Sequence, residues 1–247
     1  MSSYTALAAW YDTLTGDIPY KAFADFYEAE FQRCGGEFRL LLDLCCGTGT
    51  LTAEMTRRGY ELIGVDASVD MLIQARDKCS RLETAPLFLC QDAALLDLYG
   101  TVDAAFCSLD GMNYLSPETL PEVFHRLYLF VRPDGLLIFD IHTPDFFRSL
   151  DGQVFVDEKP DVLCLWRADF DTESASILYG MDLFERQGRL WRRSGEEHVE
   201  YAHEPEQLKK LLEEAGFTEI RLRRDCPQGD SGRLFVTAKR KSEENNG

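Results

Sequence analysis

The chain is 247 residues long and carries 43 acidic against 26 basic residues, a formal net charge of -17. That field opposes approach to phosphate backbones and anionic bilayers, which call for a basic footprint, so direct nucleic-acid binding and membrane attachment are disfavoured. Hydrophobic residues make up 45%, which suits one α/β domain with a small addition and excludes wholesale disorder.

The pattern along the chain predicts elements in this order. Residues 1–38 form an N-terminal helical cap, in which Tyr20, Phe23, Tyr27 and Phe31 share one face of a helix beginning after Pro19. A short apolar run at 39–45 reads as a buried strand ending at a glycine-rich turn. Residues 50–58 follow as a helix stopped by Gly59, and 61–65 as a second strand. Ser68 caps the next helix, with Asp70 in its first turn and Met71, Leu72, Ala75 and Cys79 at helical spacing. Strands follow at 86–90 and 102–109. Ser116-Pro117-Glu118 predicts a helix start, before the apolar face of Leu120, Val123, Phe124, Leu127 and Tyr128. After the turn at Pro133-Asp134-Gly135, residues 136–141 make a fifth, wholly apolar strand.

Residues 144–203 break the alternation. Strand patterns at 162–166, 177–184 and 190–201 are joined by short turns, which predicts antiparallel hairpins, an inserted β lid. Pro205 then opens a helix with Leu208, Leu211, Leu212 and Ala215 on one face. Residues 217–224 and 233–239 close the chain as an antiparallel strand pair, and 241–247 read as a disordered tail. The fold class expected is α/β: a doubly wound, mostly parallel seven-stranded sheet with helices on both faces, built from 39–143 and 204–240, plus a small inserted antiparallel β-sheet.

Eight cysteines show no C-x-x-C pair and no Cys/His cluster at zinc spacing, so no metal is expected, and free thiols fit a reducing cytosol. With no secretory pattern and no apolar run of membrane-spanning length, the expected location is cytoplasmic.

Ligands of open α/β sheets bind beyond the C-terminal ends of the strands. There Gly47 and Gly49 let backbone approach a ligand, the following helix offers unpaired N–H groups, and Asp66, nineteen residues after Gly47, can accept both hydroxyls of a ribose. These features point to a nucleotide without fixing which one. The third glycine of a dinucleotide fingerprint and the Gly-Lys-Ser/Thr of a phosphate loop are absent, so a nicotinamide oxidoreductase is the weakest reading.

Asp43-Leu44-Cys45-Cys46-Gly47-Thr48-Gly49 resembles the first motif of the class I S-adenosylmethionine (SAM)-dependent methyltransferases. Gly64-Val65-Asp66-Ala67-Ser68, Cys90-Gln91-Asp92-Ala93, Leu109-Asp110-Gly111-Met112-Asn113-Tyr114 and Glu214-Ala215-Gly216-Phe217 are similar to later segments of that family. Trp10-Tyr11-Asp12 and Ile18-Pro19-Tyr20 resemble a small bacterial branch carrying a β insertion after the fifth strand. The resemblance implies SAM as cofactor and S-adenosylhomocysteine (SAH) as product. It assigns Asp43, Cys45, Gly47, Gly49 and Leu109 to the methionine end, Asp66 to the ribose, and Ala67, Met71, Asp92 and Ala93 to the adenine, with Tyr11 and Tyr20 closing over it.

At the methyl end, Asp110 is the candidate base or acceptor-orienting carboxylate and His142 a second candidate. Asn113, Tyr114, Trp166, Arg167 and Trp191 are candidate acceptor contacts. The expected reaction is methyl transfer to a small-molecule acceptor under the N-terminal helix and the insertion. An RNA or protein methyltransferase working with a partner, and a non-catalytic SAM-binding module, are the alternatives. Monomer and homodimer are both open.

Overall fold

The computed structural model describes residues 6–225, 227 and 232–242; most of the expected disordered tail, 243–247, lies outside them. Five parallel strands alternate with helices: β1 (Leu40–Leu44), α3 (Thr50–Arg57), β2 (Glu61–Asp66), α4 (Val69–Cys79), β3 (Leu87–Cys90), β4 (Val102–Cys107), α5 (Leu120–Phe130) and β5 (Val131–His142). Two helices precede them, the short α1 (Tyr11–Leu14) and the longer α2 (Tyr20–Cys34). After the insertion come α7 (Pro205–Ala215), β10 (Phe217–Arg223) and β11 (Arg233–Arg240). The sheet runs β10-β11-β5-β4-β1-β2-β3, antiparallel only where β11 meets its neighbours.

Side chains leave a strand alternately to its two faces, and these strands bury both. Leu41, Ala104, Phe106, Leu136 and Ile138 face one core with Phe23, Tyr27 and Phe31 of α2 and Leu51 and Met55 of α3. Leu42, Leu44, Ala105, Cys107, Leu137, Phe139 and Ile141 face the other, against Val123, Phe124 and Leu127 of α5 and Leu208 and Leu212 of α7. Two-sided burial explains why the strands read as unbroken apolar runs.

The insertion holds two more elements than the sequence pattern shows. A short helix α6 (Pro144–Ser149) leads into β6 (Gln153–Lys159), and β7 (Val162–Asp171), β8 (Ser176–Gln187) and β9 (Leu190–Tyr201) complete a four-stranded antiparallel sheet in chain order. One face of it, through Val162, Cys164, Met181 and Leu183, packs on Leu7, Trp10, Tyr11 and Leu14 at the N-terminus. A second helix start also differs from expectation. Ser116 and Thr119 form a hydrogen-bonded turn, and α5 begins at Leu120 with Pro121 in its first turn. No helix among the described residues is long and apolar enough to cross a membrane.

Candidate active site

A cavity of about 490 Å³ opens at the C-terminal ends of β1, β2, β3 and β4 and is covered by α1. Its floor is the turn after β1. The chain leaves the sheet through Cys45 (φ +57°), Gly47 (φ +53°) and Gly49 (φ +69°), all left-handed. A side chain on Gly47 would meet nothing within 4 Å, so its bare Cα keeps the cavity floor open. Asp66, at the end of β2, accepts the Gly47 N–H at 2.8 Å on one carboxylate oxygen and the Ser68 N–H at 2.8 Å on the other. Each oxygen keeps a lone pair for a further donor.

Asp43 is buried, at 3% exposure, and lines the same floor. Its carboxyl accepts the Thr52 hydroxyl at 2.5 Å. Burial pushes its pKa up from 3.8 to about 7, the Thr52 hydrogen bond opposing and the nearby Asp66 adding to the rise. Such a group is short of a cation. Farther along the wall, Ala67, Met71, Asp92 and Ala93 line an apolar slot with one carboxylate, and Asp92 caps the turn at Ala93–Leu95 by accepting the Ala94 N–H at 2.8 Å.

The roof is pinned to the floor. Asp12 of α1 accepts the Thr48 hydroxyl at 2.6 Å and pairs with Lys78 of α4 at 2.7 Å. Tyr11 and Tyr20 line the cavity beside it. Burial raises both phenols, Tyr20 to about 12 and Tyr11 well above its ordinary value, so both stay neutral hydrogen-bonding groups.

At the end of β4, Leu109 (φ +56°) and Asp110 (φ +58°) are consecutive left-handed non-glycine residues. Each such position costs of order 1–3 kcal/mol and persists where its surroundings enforce it. Here the enforcer is Asp140 of β5, fully buried, which accepts the N–H groups of Leu109 at 2.8 Å and Asp110 at 3.1 Å. Leu109 is thereby turned into the cavity.

A model of the methyltransferase domain matches residues 41–135, the span from β1 to the turn inside β5. Over 244 residues the chain is 29% identical to YqeM of Bacillus subtilis (strain 168), a protein that carries the name of a methyltransferase; the match covers 96% of this chain and 97% of that one. A crystal structure of a SAM-dependent methyltransferase from Clostridium acetobutylicum ATCC 824 superposes with a TM-score of 0.85 at 26% identity, covering 98% of this chain and 100% of that one. The sugar N-methyltransferase KedS8 from Streptoalloteichus sp ATCC 53650 shares the fold, with a TM-score of 0.81 at 21% identity over 95% of this chain and 92% of that one. Residues 41–135 are a methyltransferase domain, and the whole chain shares the fold of SAM-dependent methyltransferases.

The cavity suits that cofactor on its own terms. A zwitterionic amino acid, a ribose and a purine call for a cation-seeking group, a paired hydroxyl acceptor and an apolar slot. Asp43, Asp66 and the Ala67–Met71–Ala93 wall, all lining this cavity, are groups of those three kinds.

Of the residues expected in the methyltransferase's site, the structure brings Tyr11, Tyr20, Asp43, Cys45, Gly47, Asp66, Ala67, Met71, Asp92, Ala93, Leu109 and Tyr114 to this one cavity. Others are corrected. Gly49 does not line it: its bare Cα accommodates α4, where an added Cβ would lie 2.8 Å from the Cβ of Ala75. Asn113, fully buried, is a backbone staple; its amide donates to the carbonyls of His142 and Tyr201 and accepts the His142 N–H. Asp110 does not line the cavity; its carboxylate is paired with Arg233 at 2.6 Å while that guanidinium also holds Asp140 at 2.5 Å. His142 stacks on Phe146 with ring centroids 4.1 Å apart, and burial, with Arg233 nearby, lowers its pKa to about 3. An imidazole so reluctant to take a proton is a poor base at neutral pH.

The insertion divides by face. Trp166 lies on the side toward Tyr11, edge-on to Tyr179 with centroids 6.3 Å apart. Arg167 and Trp191 point the other way: Arg167 is exposed and paired with Asp182 at 2.6 Å, and Trp191 is 49% exposed beside the β8–β9 turn. Neither lines the cavity. Pattern reading missed the Asp12–Thr48–Lys78 pin, the Arg233 ion pairs, and Glu200 on the inner face of the insertion. Of these, only the Asp12 side chain, one residue after a predicted cavity tyrosine, had any local signal.

Proposed function

We propose that the methyltransferase acts on a small-molecule acceptor held between the cofactor cavity, α1 and the inner face of the inserted sheet. The observation carrying this reading is the roof. Tyr11 lines the cavity on one side and packs on the other into the cluster of Leu7, Val162, Met181 and Leu183. A methyl donor below it would have the N-terminal segment and the insertion over it together, which favours a metabolite over a folded partner. The acidic surface, at -17 net charge, supports the same reading against RNA. The fold shared with a sugar N-methyltransferase agrees with it.

In this reading Asp43 and Gly47 hold the methionine end, Asp66 accepts from the ribose hydroxyls, and Ala67, Met71, Asp92 and Ala93 receive the adenine. When bound, SAM supplies an electrophilic methyl on a sulfonium. The protein's own contribution is to place the acceptor in line with that methyl and keep water away. Leu109, Tyr11 and Tyr114 wall that end of the cavity, and the Tyr11 phenol, held neutral by burial, orients an acceptor without competing as a nucleophile.

The test uses purified protein. Calorimetry is expected to show micromolar SAH binding that is lost in D66A. Incubation with methyl-labelled SAM and a cell extract is expected to place label in the low-mass fraction. Label carried by protein or RNA instead would overturn the small-molecule reading.

A further inference from the structure

Beyond the cavity, the interior gathers more carboxylate than it neutralises. Asp110 and Asp140 share the single guanidinium of Arg233. A third carboxyl, Glu200 on the inner face of β9, is 4% exposed. Tyr114, a cavity residue, donates a hydrogen bond to it, and its Oε2 is buried with no hydrogen-bond partner. The charged neighbours that act on Glu200 are Asp110, which opposes its ionisation, and Arg233, already committed to two carboxylates. His142 is neutral there. A buried carboxylate oxygen without a donor costs stability, and such groups concentrate where a ligand is to be met. Aromatic rings are close by: Tyr114 and Tyr179 act directly on Glu200, Trp166 is edge-on to Tyr179, and Tyr11 lies near Asp110. Aromatic faces favour a cation over a neutral group.

We propose that Glu200 receives the methyl acceptor and that the acceptor is an amine, entering as its ammonium ion. This rests on the small-molecule reading above and names its substrate class. Burial, with Asp110 nearby, holds the Glu200 carboxyl well above the usual carboxylate range, so it rests protonated. An arriving ammonium displaces that proton to solvent and pairs with the carboxylate. It then gives one of its own protons to Glu200, leaving a neutral amine with a free lone pair. The nitrogen forms its bond to the methyl carbon as the sulfur–carbon bond breaks, its electrons staying on sulfur as the thioether. Positive charge passes from sulfonium to the methylated ammonium, which leaves as a cation, and no oxidant or further reactant is needed.

The test uses the full chain loaded with SAH and two probes of equal shape, benzylamine and benzyl alcohol, titrated by ligand-observed NMR at neutral pH. Benzylamine is expected to bind at least tenfold more tightly. E200Q is expected to abolish that preference while keeping its SAH affinity, and E200D to retain part of it. Equal binding of the two probes, binding of neither, or a preference that survives in E200Q would overturn the proposal. The wild-type comparison decides even if E200Q fails to fold. A separate outcome keeps the two readings apart. Labelled low-mass product that passes a cation exchanger at acidic pH would sink the amine while sparing the small-molecule reading, whereas label on macromolecules would remove both.

Discussion

In the proposed reading Asp43 links stability to cofactor binding, and D43N separates the two. The side chain is buried beneath the cavity, and its pKa stands at about 7 against an ordinary 3.8. The sign follows from proton counting. Between those values the folded chain keeps a proton that the unfolded chain has released, so stability falls as pH rises through the window and levels off above 7. At about 1.4 kcal/mol per tenfold step, the whole gap is worth about 4 kcal/mol, of which about 3 kcal/mol falls between pH 5 and pH 8. Asparagine is near-isosteric and its oxygen can still accept the Thr52 hydroxyl, so D43N removes the charge and little else. In urea unfolding, the stability of D43N relative to wild type is expected to rise by about 3 kcal/mol from pH 5 to pH 8; the double difference cancels every other titrating group. The cofactor's ammonium favours the ionised carboxylate, so wild-type SAH affinity is expected to weaken by up to about tenfold from pH 7 to pH 6, with D43N weaker throughout and flat. A relative stability that changes by under about 1 kcal/mol across that range would refute the reasoning, because it would mean that Asp43 is either solvated or already paired.

Three further substitutions test the supports of the site. G49A puts a Cβ against Ala75 at a left-handed residue, and is expected to cost about 2–4 kcal/mol by denaturant unfolding; a loss under half of that would deny the close approach of α4. R233M strands Asp110 and Asp140, at 16% and 0% side-chain exposure, and is expected to cost about 3–5 kcal/mol at pH 7. That loss should shrink as pH falls and the two carboxyls take up protons, and a pH-independent loss would contradict the pairing. D12N weakens the pin to Thr48 and Lys78, whose exposed side cuts its worth to about 1 kcal/mol or less. A melt should show little change, while SAH is expected to dissociate severalfold faster in stopped flow; an unchanged off-rate would show that α1 does not hold the cofactor in.

The cofactor half was legible because its chemistry is local in sequence. A strand end, a glycine turn and a carboxylate nineteen residues later need only the β1–β2 pairing to meet, and parallel strands buried on both faces announce themselves as apolar runs. Gly49 shows the limit of even that. Two glycines fit the same pattern, and only the position of Ala75 on α4 distinguishes the one that faces ligand from the one that faces helix. Asp110 and His142 were assigned by their place after strands, yet their roles are set by Arg233, which lies 93 residues beyond Asp140 in the chain.

The acceptor half was hidden for a different reason. In an antiparallel hairpin, parity decides the face, and a shift of one residue exchanges the faces. The β8–β9 register pairs Met181 with Glu196, Tyr179 with His198 and Ile177 with Glu200, so the buried face of β9 is polar and its outward face carries Trp191 and Val199. Read as alternation of apolar and polar, the strand points the wrong way. An edge strand such as β6, exposed along its whole length, gives no alternation to read. The inversion on β9 is itself informative. A strand that spends its inward positions on His198 and Glu200 gives up apolar burial worth about 1.5–3 kcal/mol per side chain. A fold bears that loss at sites that handle a polar ligand, and here the polar face turns toward the residue, Tyr114, that closes the methyl end of the cavity.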